Sequence, residues 1–421
     1  MRILVVGSGG REHALCWTLA RDPGVEVLAA PGNPGIAAIA RLHPVAPADL
    51  DGLLHLAVRE RVDLTVVGPE APLAAGLADR FADAGRPLLG PTRAAARLET
   101  SKAFAKAFMA RHGVPTARCR ICDTPAAARR ALDEFGLPVV VKADGLAAGK
   151  GVVVAGSRAD AEAAVDAALV ERRFGEAGAR LVIEECLAGR EASYFVLADG
   201  ERAVFLGTAE DHKRAYDGDR GPNTGGMGAF APSPLVTPDL RDRIDREIVQ
   251  PVLAGLREEG TPFRGFLYVG LMLTAEGPQV VEFNVRLGDP EAQVVLPGLD
   301  EPLAPRLVEA ASGRLSAAPL RHGRWCHVGV VLASEGYPGH FERGRPIGGL
   351  EAVADRPDVL VFHAGTALRD GALVTDGGRV LTVVGRGHDF ASAMARAYDA
   401  AACIRFDGMH YRRDIGRKAL G

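Results

Sequence analysis

Lysine is scarce in this chain of 421 residues, and long apolar runs, blocks of one charge and a cysteine framework are missing altogether. The longest hydrophobic stretches are strand-sized, such as Val139-Val140-Val141 and Val328 to Ala333. A bilayer needs roughly 20 consecutive apolar residues, so no membrane partner is expected. The opening MRILVVGSGG reads directly as a strand, with no basic segment or cleavage site before it, which points to the cytoplasm rather than to export. Acidic and basic residues are interspersed to a net charge of -3, leaving no basic block to recruit nucleic acid. Six cysteines in so long a chain do not make a disulfide framework and suit a reducing compartment. Cys119 and Cys122 have C-x-x-C spacing, but the next cysteine is Cys186, too far for a second zinc pair. They follow Pro115 in an apparent linker, not at a helix start, so two inert thiols are expected.

What is present is an ordinary globular balance, 48% hydrophobic and 24% charged, long enough for about three domains. Of the 50 basic residues only six are lysine: Lys102, Lys106, Lys142, Lys150, Lys213 and Lys418. A chain that uses arginine wherever a plain positive charge suffices keeps lysine where a compact ammonium on a flexible stem is wanted. Five of the six lie in the segments that carry chemistry on other grounds.

Residues 1–90 alternate short β-rich runs with helical patterns, the signature of a doubly wound parallel sheet. Strands are expected at Arg2–Gly7, Val25–Ala30, Leu64–Gly68 and Pro87–Gly90, with helices at Glu12–Arg21 and Leu73–Ala84. A helical stretch over 93–112 ends at Gly113-Val114-Pro115. Thr116 to Leu187 reads as a compact α/β unit with strands at Pro138–Lys142, Gly151–Ala155 and Arg180–Glu184 and a helix at Ala159–Val170. Further strands follow at Ala192–Leu197, Ala203–Ala209, Gly265–Thr274 and Gln279–Asn284, with a helix at Asp239–Glu259. Asp211–Pro234 is too long for a plain connection, which marks it as a functional loop. Residues 325–421 form a final α+β module with strands near Val328–Ala333, Val359–His363 and Val380–Val384. The fold class is therefore multidomain, α/β followed by α+β.

Gly7-Ser8-Gly9-Gly10-Arg11 follows the first strand and opens a helix, a natural place for an anion. The dinucleotide fingerprint fails twice: its third glycine would be Glu12, and no acidic residue ends the second strand. A phosphate on a small substrate fits better, with Arg11 as a partner. Lys142-Ala143-Asp144-Gly145-Leu146-Ala147-Ala148-Gly149-Lys150-Gly151 joins two strands as a glycine-rich hairpin able to close over a triphosphate, although no helix follows as a P-loop requires. Lys142 ends an apolar strand, a costly place for an unpartnered charge. Arg180 to Leu187 is a strand ending in Glu184 and Glu185, with Glu191 beyond a short loop. In Val280 to Glu291, period-2 alternation puts Glu282, Asn284 and Arg286 on one face. Glu282 and Asn284 are hard oxygen ligands, and Arg286 can neutralise a phosphoryl group.

A lysine-bearing helix, a Lys–Gly hairpin, a Glu-Glu hinge and an E-x-N-x-R strand occur here in the order of the ATP-grasp superfamily. Within it the chain resembles the phosphoribosylamine–glycine ligase (glycinamide ribonucleotide synthetase) family over its whole length. The segments that carry the resemblance are GSGGREHA at 7–14, VGPEAPL at 67–73, SKAFAK at 101–106, KADGLAAGKG at 142–151, EDHKR at 210–214, GPNTGGMG at 221–228, EFNVRLGDPE at 282–291, FHAGT at 362–366 and GGRVL at 377–381. Val285 and Leu287 stand where the family has Cys and Phe. Gly265–Thr274 lacks the acidic metal ligand that many ATP-grasp enzymes place there.

The resemblance implies a substrate domain at 1–100, an ATP-grasp domain at 101–120 and 188–320, its mobile lid at 121–187 and a C-terminal domain at 321–421. It assigns ATP to Lys102, Lys142, Gly145, Gly149, Lys150, Gly151, Glu184, Glu185, Leu187 and Glu191, and Mg²⁺ (or Mn²⁺) to Glu282 and Asn284. Gly9, Gly10 and Arg11 would receive the sugar phosphate of 5-phosphoribosylamine. Asp211, Lys213, Asn223, Arg286, Asp289 and Pro290 would surround the transferred phosphoryl group, glycine and the amine. The implied reaction makes glycyl phosphate from glycine and ATP, then an amide, in a monomer whose partners are small molecules. Another ATP-grasp ligase, a nucleotide-binding regulatory module and an NAD-dependent dehydrogenase are the alternatives, the last disfavoured by Glu12.

Overall fold

The computed structural model describes residues 1–147 and 151–420. Its first sheet is parallel, in the order Arg41–Leu42, Glu26–Pro31, Arg2–Gly7, Leu64–Val67, Leu88–Leu89. The central strand is buried on both faces, which is why Ile3-Leu4-Val5-Val6 reads as an unbroken apolar run. Alternation sends Ile3 and Val5 into one core and Leu4 and Val6 into another. Both cores continue into the middle of the molecule: the first takes in Phe195 and Leu206, the second Tyr194 and Leu267.

The expected helix Leu73–Ala84 is two helices, Glu70–Ala74 and Leu77–Asp83, parted by Gly76 at φ 92°. A left-handed residue cannot sit inside a right-handed helix, and glycine takes that conformation at least cost. The expected helix Asp239–Glu259 is continuous from Pro238 to Glu258, with a π turn at Asp245–Val249 just ahead of Pro251.

A nine-stranded sheet forms the body of the protein. Its order runs Pro278–Asn284, Arg264–Leu273, Arg190–Asp199, Ala203–Asp211, Gly228–Ala231, Cys326–Ser334, Arg379–Gly387, Val359–His363, with Met409–His410 paired to Cys326–Ser334. The final α+β module is thus not a separate sheet: Gly228–Ala231 joins it to the middle strands. A four-stranded antiparallel sheet, in the order Cys119–Cys122, Leu181–Glu185, Val139–Ala143, Val152–Ala155, stands apart with a small core of its own. Cys119 and Cys122 therefore lie on an edge strand, not in a linker, and both are free thiols. Thr124 caps a helix, Pro125–Phe135, that the sequence reading passed over despite its Thr-Pro start.

Asp211–Pro234 is more ordered than a loop. It holds the hairpin Arg214–Tyr216 with Arg220–Asn223, then the strand Gly228–Ala231. The C-terminal segment clamps that hairpin through Arg412, whose side chain is fully buried. Its guanidinium donates to Asp414 at 2.8 and 2.7 Å, to Asp219 at 2.9 Å and to the Arg214 carbonyl at 3.0 Å. Arg412→Ala leaves Asp414 without its arginine and Asp219 with Lys418 alone, at 2.7 Å, and should destabilise the protein by about 2–3 kcal/mol, less than a wholly buried pair because Asp219 keeps some solvent. Denaturant titration reads this as a lower unfolding midpoint; an unchanged midpoint would refute the clamp.

Candidate active site

The site is built around buried cations. Ser101 caps the helix Lys102–Arg111, and Asp144 ties that helix to the glycine hairpin by accepting from Ser101 Oγ and Ala103 N at 2.8 Å each. Lys102 Nζ then donates to the Gly145 carbonyl at 3.3 Å. Lys142 is 5% exposed, and the partner its position demands is Glu184, 2.8 Å away. Lys106 meets the other oxygen of Glu184 at 3.3 Å. Burial depresses the ammonium groups of Lys102 and Lys106, with Lys142 adding repulsion and nearby carboxylates opposing the shift.

Glu184 therefore does not face adenine: its carboxylate lies 3% exposed beneath two lysines. Glu185 is likewise committed, to Arg118 at 2.7 Å, which leaves the backbone around it and the half-buried Leu187 as the hinge surface. Gly145 and Gly151 serve close packing, since a Cβ would stand 2.7 Å from Ala177 Cβ and 2.8 Å from Ala147 Cβ respectively. The Gly145 N–H donates to the Ala177 carbonyl and is not free for phosphate. Gly149 and Lys150 lie outside the described residues.

One pocket gathers Glu191, Ser193, Asp211, Lys213, Tyr268 and Glu282. Lys213 Nζ is 2.6 Å from Glu191 and 3.8 Å from Asp211. Burial opposes its charge, but Asp211 and Glu191 outweigh burial and hold the ammonium well above the ordinary lysine range. Glu191 is lowered in turn by Lys213. It lies in this pocket joined to Lys213, a pairing that the expected ribose role did not anticipate.

The strand Pro278–Asn284 carries a bulge at Val281, because Leu271 pairs with Val280 and Gly270 with Glu282. The bulge lets Val280 and Phe283 enter the same core while Glu282 and Asn284 share the opposite face. Opposite Glu282, Gly270 leaves room: a Cβ there would stand 3.1 Å from Glu282 Cγ. Glu282 and Asn284 form no side-chain hydrogen bond or ion pair among the described residues, so their oxygens are free for a divalent cation. No cluster of three His, Cys, Asp or Glu able to hold a metal exists among the described residues, so phosphate oxygens would complete such a shell. Val285 and Leu287 are buried in the two cores, facing away from these ligands.

Arg286 is not on that strand, which ends at Asn284. It sits in the following bend, 2.7 Å from Glu99 and 3.2 Å from Glu70. Burial works against its charge, and Glu99 and Glu70 more than compensate. Neither carboxylate carries a role in the sequence reading; Glu70 falls within VGPEAPL and Glu99 within the helical stretch 93–112.

The first glycine loop packs around Glu12. A Cβ on Gly7, Gly9 or Gly68 would stand 2.5, 2.8 or 2.1 Å from the Glu12 side chain. Glu12 accepts from Gly9 N and from Arg11 Nε, each at 2.6 Å. Arg11 also donates to the Leu287 carbonyl at 3.1 Å, so part of its guanidinium is already engaged within the protein. Asp289 closes the loop from the other side. It accepts from the Arg11 main chain and from Gln293 at 2.8 Å, with Arg379 at 3.3 Å. Burial would raise its carboxyl, but Arg379 and Arg11 hold it below the usual range. Pro290 packs where a Cβ on Gly226 would come within 2.4 Å, and the half-buried Asn223 pairs with Arg214 in the clamped hairpin.

Three family models match along the chain: the N domain of phosphoribosylglycinamide synthetase over residues 1–99, its ATP-grasp (A) domain over 100–292 and its C domain over 327–418. The phosphoribosylamine–glycine ligase of Ralstonia nicotianae is 51% identical over 422 residues, covering 100% of both chains. A crystal structure of the phosphoribosylamine–glycine ligase of Thermotoga maritima superposes with a TM-score of 0.86 at 36% identity, covering 98% of this chain and 100% of that one. The biotin carboxylase domain of the Hydrogenobacter thermophilus 2-oxoglutarate carboxylase shares the fold, with a TM-score of 0.74 at 18% identity over 97% of this chain and 91% of that one.

Since Glu99 holds Arg286 at 2.7 Å, Glu99→Gln should loosen the guanidinium. ATP turnover is expected to fall about 10–100-fold while the KM for ATP stays within about threefold, because small misplacements of a charge-stabilising group are costly. Steady-state kinetics decide it, and a rise in KM with unchanged kcat would contradict a positioning role.

Proposed function

The chain belongs to the phosphoribosylglycinamide synthetase family, phosphoribosylamine–glycine ligases of purine biosynthesis that use ATP and a divalent metal, and we propose that it works through a glycyl phosphate made beside Lys142, Lys213 and Glu282. The observation that best supports this is the convergence of Glu191, Asp211, Lys213 and Glu282 from separate strands and loops in one pocket. Lys142 adjoins it, donating to the carbonyl of the pocket residue Val281 at 3.2 Å.

In this reading the glycine carboxylate attacks the γ-phosphate of ATP, releasing ADP and leaving glycyl phosphate. The amine of 5-phosphoribosylamine then displaces phosphate to give the amide. Lys102, Lys142 and Lys213 hold phosphate oxygens, and Arg286 neutralises charge on the transferred group. Glu282 and Asn284 would hold Mg²⁺, or Mn²⁺ in its place, which supplies charge neutralisation on the triphosphate. Leu187 and the Glu185 backbone would line adenine. Gly9, Gly10 and Asn223 would meet the amine substrate, and Asp289 and Pro290 would shape its end of the cleft. Water must be kept from an acyl phosphate, a task for the sheet that bears the glycine hairpin. We carry the division 1–100, 101–120 with 188–320, 121–187 and 321–421 into this reading as its working units. A monomer in the cytoplasm, with neither nucleic acid nor membrane as partner, completes it; the site groups named all come from one chain.

Phosphate release is the test, measured with ATP, divalent metal, glycine and freshly generated phosphoribosylamine, each omitted in turn. Release that needs all four supports the reading, and release with other amino acids or amines instead would sink it. Within that assay, Arg286→Ala should lower kcat about 100-fold or more with ATP binding preserved within about threefold, the usual cost of one charge-stabilising donor. Near-normal turnover would remove Arg286 from the mechanism.

A further inference from the structure

Glu291 is a buried carboxyl that the roles above leave unused. It stands 4% exposed in the turn between the strand Pro278–Asn284 and the short helix Ala292–Val295. The other buried carboxylates nearby have dedicated partners: Glu184 has two lysines, Glu99 has Arg286, and Asp289 has Arg379 and Gln293. Among the described residues Glu291 has no ion pair and accepts only from its own main-chain N–H. The turn makes room for it, since a Cβ on Gly288 would stand 2.4 Å from Glu291 Oε2.

Its place is between the two halves of the site. Asp289, two residues before it, packs on the glycine loop, where a Cβ on Gly9 would be 3.4 Å from Asp289 Oδ2. Asp211 and Lys213 from the phosphoryl pocket, and Arg286 from the bend, are the charges that bear on it. Burial, then Asp211, pushes its acid up to about 7, against the pull of Lys213 and Arg286.

We propose that Glu291 is the general base of the ligation step, taking the proton of the attacking amine and passing it to the departing phosphate. The step rests on the glycyl phosphate reading. The amine nitrogen bonds to the acyl carbon, and the bond from that carbon to the phosphate oxygen breaks with its electron pair on oxygen. The proton lost by nitrogen goes to a Glu291 oxygen and then to the phosphate oxygen, so the products are a neutral amide and hydrogen phosphate. The carboxylate is regenerated without a second acid. A base poised near the working pH suits both transfers. It must be ionised to act, so ligation weakens as pH falls through about 7.

The test separates acyl phosphate formation from ligation in the full-length protein. With glycine and no amine, oxygen-18 scrambling between bridging and non-bridging positions of ATP reports reversible glycyl phosphate formation. Glu291→Gln should keep scrambling within about threefold, lose ligation about 100-fold or more, and lose the acid limb of the kcat profile. Near-normal ligation, or equal loss of both activities, overturns the proposal. Absence of scrambling in the unaltered enzyme would instead overturn the glycyl phosphate reading on which it rests. Glu291→Asp, made alongside in case the glutamine variant misfolds, should slow ligation yet retain the acid limb; a profile without that limb counts against Glu291.

Discussion

A positive charge taken out of water needs a carboxylate within hydrogen-bonding distance, and the arrangement of this site follows from that need. Moving an ammonium or guanidinium into the interior costs several kcal/mol, even after the surroundings relax. Lys142 and Lys106 share Glu184, Lys213 lies against Glu191 and Asp211, and Arg286 is held by Glu99 and Glu70. Each cation is thereby held in place before a nucleotide arrives. Fixed charges need not reorganise as a phosphoryl group is transferred, which is where electrostatic catalysis draws its advantage.

The same pairing ties the parts of the chain together. Glu70 and Glu99 come from the first hundred residues, yet they orient an arginine 216 and 187 positions later. Arg379, from the final module, reaches Asp289 and the Gly225 carbonyl, the latter at 2.8 Å. The shared sheet makes such long-range pairs dependable, because Gly228–Ala231 hydrogen-bonds to both the middle and the C-terminal strands. The four-stranded sheet with its separate core stands outside this arrangement and meets it chiefly at Asp144, Lys142 and Glu184.

The sequence was most legible where backbone periodicity and residue chemistry agreed. Arg2–Gly7 was readable as an unbroken apolar run, and the shared face of Glu282 and Asn284 from the period of two. Lys142 was readable as a charge that needed a partner, although the partner was not. Glu184 lies on a neighbouring strand, register Val140 to Glu184, and cross-strand register is not written in local pattern. Arg286 was placed on the strand by counting in twos, and the count failed because the strand ends two residues earlier. Arg11 was read as a phosphate partner, and the contact that reading missed is Glu12 beside it, which fills the space of three glycines and takes the Arg11 Nε–H.

That last substitution also explains what kind of glycine loop this is. In a dinucleotide site the third glycine lets the helix pack closely and leaves its N-terminus open to pyrophosphate. Here the position is Glu12, its carboxylate caps Gly9 N, and Asp289 takes the Arg11 main-chain N–H. With Glu12 in the third glycine's place and taking the Gly9 N–H, the loop does not offer a dinucleotide the open helix start it needs. What remains usable is the loop's edge toward Asp289 and the turn that carries Glu291.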